Sequence, residues 1–421
     1  MREQNAISFL KFFSFVFVIV FWGCQSNSTK NKKNTEQSEG KLSERVTAQF
    51  KEIDPRKFED NELCLSLFTD DIKYIPLSNK IPIGDFYVFR VTSNAIYLIY
   101  DNSGGGEGNG HPQLFRFDIN GKNPVEIGSV GRGPREYLSA NYFAVDEANN
   151  RIYINGKLNT VLVFDTLGNY IRDFKFKTPE IGFSKMDFLS NNRLFLPQQS
   201  LGAQRAYLWY VTDTLGNVIS RKKNSIPPFE THTGSYSGTF KYKDKISYWI
   251  DYNDTIFEVS PGLSCQPSYL IAPNENRLEN LKSTSPTGMF LKPSEFYLPR
   301  FFTETNKYLI NRYSYNGKYA FTFIDKKSGE TYTCNYKLGE GGITNDFDAG
   351  LKFFPLEYFS DGKDENLISI IQSLELKIYV TSDEFKNSTP KYPEMKKALE
   401  QLANRLNEND NPVLMLVKLK E

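Results

Sequence analysis

The chain has 421 residues, 51 of them basic and 50 acidic, for a net charge of +1. The two signs are interspersed, with no basic stripe of the kind that nucleic-acid binding needs, so no nucleic-acid partner is expected. Aromatic residues make up 15% of the chain, with 34 Phe and 25 Tyr, a composition that suits strands on half-buried pleated surfaces.

At the N-terminus, Arg2 and Lys11 flank the apolar run "FFSFVFVIVFWG", which stops at Cys24. A membrane-crossing helix needs about 20 apolar residues, and this run is shorter. A basic start, a short apolar stretch and a small residue at the end describe a secretory signal. The residue after Gly23 is cysteine, whose thiol is what lipid attachment requires. The stretch resembles a bacterial lipoprotein signal, although Phe21 and Trp22 are bulkier than the residues usual before such a cysteine. The alternative is an ordinary signal peptide or an uncleaved anchor. Residues 1–23 are therefore expected to be the signal and Cys24 the lipidation site. Gln25 in place of aspartate implies sorting to an outer membrane. No acidic run follows, which favours its periplasmic face over the cell surface. Residues 24–61 are polar and nearly free of aromatics, and are expected to be a flexible tether.

From residue 62 onward, short apolar runs recur with a long period. "FRFDINGK" turns at Asp118, "LVFDTLGNYI" at Asp165 and "WYVTDTLGNVI" at Asp213, at spacings of 47 and 48 residues. "IFEVSPGLS" repeats the shape around Val259, and "FTFIDKKSGETY" repeats it at Asp325. In each, a strand enters, a Gly-containing turn reverses it, and a second strand leaves. A period of about 40 to 50 residues with four strands per unit is the signature of β-propeller blades. The spacing predicts blades at 86–128, 142–176, 185–222, 237–271 and 299–336. The segment 346–421 completes a sixth, with strands in "FFPLEYF" and "LISIIQ". One helix, with Met395, Leu399, Leu402 and Leu406 on one face, precedes the last strand "VLMLVKLK". Open sheet edges are a liability, so "IKYIPL" (72–77) is expected to pair with 413–420 and seal the ring. Its Pro76 lacks an N–H and belongs on an edge.

Four features occur in order: "IKYIPL", "GRGPREY" between the first two blades, "PRFFTETNKYL" opening the fifth, and a helix followed by "NPVLMLVKLK". Together they resemble the six-bladed β-propeller lipoproteins of Bacteroidota, which share the shape of NHL-repeat propellers. The resemblance implies an all-β fold over 62–421 and an envelope location. It implies no reaction, ligand or catalytic set.

The segment "GSVGRGPREYLSA" (128–140) carries glycines and two arginines but is no phosphate loop. It lacks the Lys-Ser/Thr pair, Pro134 removes a donor, and a strand rather than a helix follows. It reads as an inter-blade crossover, with Arg132, Arg135 and Glu136 as candidates for the lip of a binding face. The glycine-rich loop "DNSGGGEGNGHP" (101–112) adds Glu107 to that face. His111 and His232 are the only histidines, and neither has a local catalytic partner. Asp346 and Asp348 in "TNDFDAG" are weak candidates for calcium, without the full ligand pattern; otherwise no cofactor is expected. "GTFKYKDKISYWIDYND" (238–254) reads first as blade packing and second as a carbohydrate-stacking surface. Cys64, Cys265 and Cys334 fit no zinc spacing; free thiols are favoured over one disulfide.

These residues point to a non-catalytic ligand-binding or protein-interaction module, held to the membrane by its lipid and taking a glycan, peptide or envelope protein. The rival is a carboxylate- or metal-dependent hydrolase or lyase at the central channel, since function lives in the site rather than the fold. Convergence of Glu107, Glu136, Glu304 and Asp346 on one point would favour the enzyme. Aromatics and hydroxyls lining the channel would favour binding.

Overall fold

Strands buried on both faces read as unbroken apolar runs, and the middle strand of each repeat does so: "AIYLIY", "TVLVF" and "RLFLP" are buried almost throughout. Such strands need a neighbouring sheet on either side, and a ring of sheets supplies one. The computed structural model describes residues 51–420 apart from 60–62, 84–85, 101–111, 141, 158, 179–180, 184, 199–204, 226–236, 252, 273–296 and 338–340.

The described chain begins with β1 (Lys51–Ile53), a helical turn at Leu65–Phe68 and β2 (Thr69–Pro76). Blade one is β3 (Phe86–Val91), β4 (Ala95–Tyr100), β5 (Gln113–Asp118) and β6 (Val125–Glu126). Blade two is β7 (Phe143–Asp146), β8 (Arg151–Lys157), β9 (Thr160–Phe164) and β10 (Tyr170–Lys175). Blade three is β11 (Asp187–Ser190), β12 (Arg193–Pro197), β13 (Tyr207–Asp213) and β14 (Val218–Lys223). Blade four is β15 (Ser237–Tyr242), β16 (Lys245–Ile250), β17 (Thr255–Val259) and β18 (Cys265–Ile271). Blade five is β19 (Leu298–Glu304), β20 (Tyr308–Tyr315), β21 (Lys318–Asp325) and β22 (Thr331–Tyr336). Blade six takes β23 (Glu357–Ser360), β24 (Glu365–Ile371) and β25 (Val413–Leu419) from the end of the chain and β2 from its start. The result is a six-bladed β-propeller.

Successive residues of a strand point to opposite faces, so each blade feeds two interfaces. Ile96 and Leu98 of β4 join a cluster with Ile75, Ile368 and Leu414 of blade six. Tyr97 and Ile99 of the same strand join Phe143 and Ile152 of blade two. Equivalent clusters fill the remaining four interfaces, so the core is six wedges rather than one mass.

The recurring aspartates hold the outer hairpins by a local device. Asp165 accepts hydrogen bonds from the N–H groups of Leu167 and Asn169 and from the Asn169 amide (2.9–3.0 Å). Asp213 does the same with Leu215 and Asn217, and Asp118 with Asn120, Lys122 and Asn123. The turn glycine then docks on the preceding blade. Gly216 has φ +87°, its carbonyl accepts from Lys177 N–H at 2.9 Å, and a β-carbon there would strike the Lys175 carbonyl. Gly121 and Gly168 face Pro76 and Glu126 in the same way.

One expectation is corrected and another extended. The ordered domain starts before residue 62: β1 pairs in parallel with β18, adding a fifth strand to blade four. Phe58 then packs edge-on against Tyr313 of blade five at 5.7 Å. The expected helix before the last strand is present as Pro393–Arg405, and two further helical segments precede it, at Ser373–Thr381 and Asp383–Asn387. All three contribute to the cluster against blade six, through Leu376, Phe385 and Leu399 among others. Cys64, Cys265 and Cys334 are free and half-buried. Cys24, Glu107, His111 and His232 lie outside the described residues.

The hairpin contact makes a direct stability prediction. Gly329 has φ +80° with open space beside it, so Gly329→Ala should cost about 1 kcal/mol from backbone strain alone. Gly216→Ala adds a collision with fixed backbone and should cost about 3 kcal/mol. Chemical denaturation of both variants checks this, and equal losses would refute the docking role of Gly216.

Candidate functional site

In a propeller the innermost strand of every blade borders the axis, so a few strand residues from six distant stretches share one space. Here they enclose a channel cavity of about 780 Å³. Its mouth is ringed by inner hairpin turns, represented by Ser93, Glu147, Lys243, Asn306 and Gly362. Several of these are tied across blade boundaries. Ser93 Oγ donates to Glu147 at 3.1 Å, and Tyr242 OH donates to Asn306 Oδ1 at 3.1 Å. The Asn306 N–H and Tyr358 OH both donate to Glu365, at 2.9 and 2.8 Å.

Below the mouth is a group of charges from four blades. Asp187, 3% exposed, accepts from Arg90 Nη2 at 2.9 Å and from the Thr239 hydroxyl, and Lys185 Nζ stands 3.8 Å away. Lys185 also donates to the Thr239 carbonyl at 3.2 Å. Burial opposes ionisation of Asp187, but Lys185, Arg90, the Thr239 hydroxyl and Lys241 outweigh it and hold the carboxyl at about 2. Glu357 is the converse. Burial raises its carboxyl above the ordinary value, and Asp187 adds to the rise despite Lys185 and Arg90. Lys241 faces channel water yet is enclosed by protein, and that enclosure lowers its ammonium to about 8, with Arg90 and Lys185 adding to the fall and Asp187 opposing it. The walls include the half-buried rings of Phe188, Tyr242, Phe301 and Tyr358.

The candidates on the crossover stand elsewhere. Residues 128–140 join β6 to β7, and since strands within a blade are antiparallel, this crossover lies on the face opposite the mouth. Glu136 is turned onto its own loop, accepting from Gly133 N–H at 2.6 Å. The Arg135 guanidinium lies 5.2 Å from the Tyr170 ring, and Lys157 donates to the carbonyls of Arg132 and Gly133. Buried Tyr137 pins the segment by donating to Ile127 O at 2.8 Å. None of Arg132, Arg135 and Glu136 lines the channel.

Of the carboxylates weighed for an enzyme or for calcium, Glu107 lies outside the described residues and the others do not converge. Glu304 pairs with Lys326 at 2.8 Å. Asp346 accepts from the N–H and hydroxyl of Ser66. Asp348 accepts from Tyr74 OH, Asn345 Nδ2 and Gly350 N–H at 2.7–2.8 Å, and burial raises its carboxyl. Asp346 and Asp348 thus serve separate structural contacts. Among the described residues no three His, Cys, Asp or Glu side chains are grouped to hold a metal. Arg90, Lys185, Asp187 and Glu357 escaped sequence reasoning. Thr239, Lys241 and Tyr242 fall inside "GTFKYKDKISYWIDYND", the stretch read second as a carbohydrate surface.

The fold and channel define a six-bladed propeller with a charged axial cavity. The chain belongs to the family described as a domain of unknown function, DUF4934, whose model matches residues 50–418. No curated protein matches it. Among solved structures, it resembles a Bacteroides fragilis protein described as exported, at 18% identity and TM-score 0.64, over 88% of this chain and all of that one. It is less similar to a DUF4221 family member from Bacteroides vulgatus, at 12% identity and TM-score 0.46, over 86% of this chain and 99% of that one. Virginiamycin B lyase from Staphylococcus aureus is 10% identical with TM-score 0.39, over 70% and 81% of the two chains. The first likeness supports the fold alone, and the other two carry no further argument.

Because Asp187 is held at about 2, below the unfolded carboxylate, its pairing contributes stability that is complete above about pH 4 and lost as pH falls through 2. Asp187→Asn should cost on the order of 2 kcal/mol at pH 7. The gap from wild type should close between about pH 4 and pH 2. Denaturation at several pH values tests this, and a gap independent of pH would show that the charge is not what matters.

Proposed function

We propose that the protein is an envelope lipoprotein whose propeller binds a ligand in its axial channel without transforming it. The observation that carries this reading is the channel itself: a cavity of about 780 Å³ with aromatic walls, a hydroxyl and a charged floor. Cavities of roughly 300–1,000 Å³ with a few placed polar groups suit small ligands. The lipid-anchor signal ending at Cys24 supports an outer-membrane site with the disc on the periplasmic side, and the exported description of the Bacteroides fragilis relative agrees with export. Among the described residues no helix is long and apolar enough to cross a membrane. A second reading, a hydrolase or lyase, is favoured by one observation. Glu357 shifted up and Lys241 shifted down to about 8 are the perturbations that acid–base chemistry uses.

A thermal-shift screen of the full-length protein against oligosaccharides and peptides tests the channel. A ligand at a hundredfold excess over its Kd should add about 2.7 kcal/mol of stability. Ser360→Trp, at an exposed position on the channel wall, should abolish that shift. A compound stabilising both proteins equally would place binding elsewhere. Recovery of the compound unchanged supports the binding reading, and a cleaved or unsaturated product would transfer the case to the enzyme. Independently, Cys24→Ala should leave the fold intact and release the protein from membranes. Retention of that variant on membranes after removal of its signal would sink the lipid anchor.

A further inference from the structure

The floor of the channel has an unequal distribution of partners. Of its three cations, Arg90 is engaged by Asp187, and Lys185 by Asp187 and the Thr239 carbonyl. The Lys241 ammonium has no hydrogen bond or ion pair with any described residue, although it lines the same cavity. The Lys241 ammonium is exposed to the channel, so an anion entering there would meet a cation with no fixed partner and gain a charge-assisted contact. Glu357 lies beside this group, and among the described residues its carboxyl accepts one hydrogen bond, from the Tyr358 N–H at 3.2 Å. Burial raises its carboxyl above the ordinary value, and its oxygens can accept from a ligand hydroxyl.

At the mouth two carboxylates, Glu147 and Glu365, outweigh one ammonium, Lys243. Glu147 and Glu365 are held there by Ser93, Asn94, Asn306 and Tyr358, and among the described residues neither forms an ion pair. A ligand with charges along its whole length would meet these carboxylates as it entered. One with a single acid at its leading end and hydroxyls behind it would not. The aromatic walls offer flat apolar faces to ring C–H groups, and hydroxyl-rich rings can donate to the rim carboxylates. Charge order and wall chemistry together select one class of molecule.

Building on the binding reading above, we propose that the channel recognises a glycan ending in a single uronate, whose carboxylate pairs with Lys241 while its rings lie against Phe188, Tyr242, Phe301 and Tyr358.

Calorimetric titration of the full-length protein with glucuronate, glucose, a disaccharide bearing one terminal glucuronate, and trigalacturonate tests it. Glucuronate should bind about tenfold tighter than glucose, the scale of one charge-assisted contact. Lys241→Met should erase that preference, while Lys241→Arg keeps it, which a merely structural lysine would not do. The mono-uronate disaccharide should bind more tightly than trigalacturonate, because of the acidic mouth. Equal binding of glucose and glucuronate, with both lost in Ser360→Trp, overturns the uronate inference and spares the channel. A preference for acid that survives Lys241→Met also overturns it. Failure of every saccharide to bind overturns this inference, and the channel reading falls with it only if the peptides of the wider screen fail too.

Discussion

A ring of sheets must close on itself, and this one closes through a hydrogen-bonded ladder between residues about as far apart as the chain allows. β2 pairs with β25 from Thr69↔Leu419 to Pro76↔Val413, and Thr69 Oγ1 donates to the Lys418 carbonyl across 349 residues of sequence. Loop-closure entropy grows only with the logarithm of length, so this separation costs little more than a shorter one. The seam returns a completed blade. Ile75 and Leu77 enter the cluster shared with Leu98 and Phe117, and without β2 both β25 and that cluster would be open. Every wedge depends on its neighbours being in place, so the seam supports the channel as well as the edge.

Between seams, the disc is repeated by a device that is short-range and therefore visible in sequence. An aspartate that accepts two backbone N–H groups and an amide needs only residues within five positions of itself, as at Asp118, Asp165 and Asp213. That is why the period stood out at those three hairpins. It blurred at the fourth, where Ser260 and Ser264 bond hydroxyl to hydroxyl and Leu263 takes the positive φ. The middle strands were equally legible, because burial on two faces leaves an unbroken apolar run. β1 was not. Lys51 and Glu52 are exposed and charged, and only the parallel pairing with Tyr269 to Ile271 makes three residues a strand. The helical insertion was half legible. Pro393–Arg405 presents an apolar face, whereas "SLELKIYVT" mixes helical spacing with a β-rich run that periodicity alone cannot assign.

The channel was legible least of all, for a geometric reason. Arg90 and Asp187 are 97 residues apart, and Asp187 and Thr239 are 52 apart. No local pattern marks them, since each is one polar residue in a strand that otherwise packs blades. Attention went instead to "GSVGRGPREYLSA", where charge and glycine are concentrated. There the side chains are taken up by structural contacts: Glu136 on its own loop's Gly133 and Arg135 on Tyr170 of β10. Local density of suggestive residues reported a demanding turn, whereas the residues that meet did so only because six inner strands converge.

That convergence also sets what the site can be. Six short strands bring only a few side chains to the axis, and the blade interfaces claim the rest. With so few positions, pairing three cations with fully ionised partners would leave no group free for a ligand. The arrangement avoids this by giving Asp187 to Arg90, Thr239 and Lys185 together. Lys241 is left exposed to the channel, and burial raises the Glu357 carboxyl above its ordinary value. A fixed ion cluster at the floor orders the inner strands, while the unpaired ammonium beside it stays available. Rigidity and availability are thus divided between neighbouring residues, so the site can be held firmly without already being satisfied.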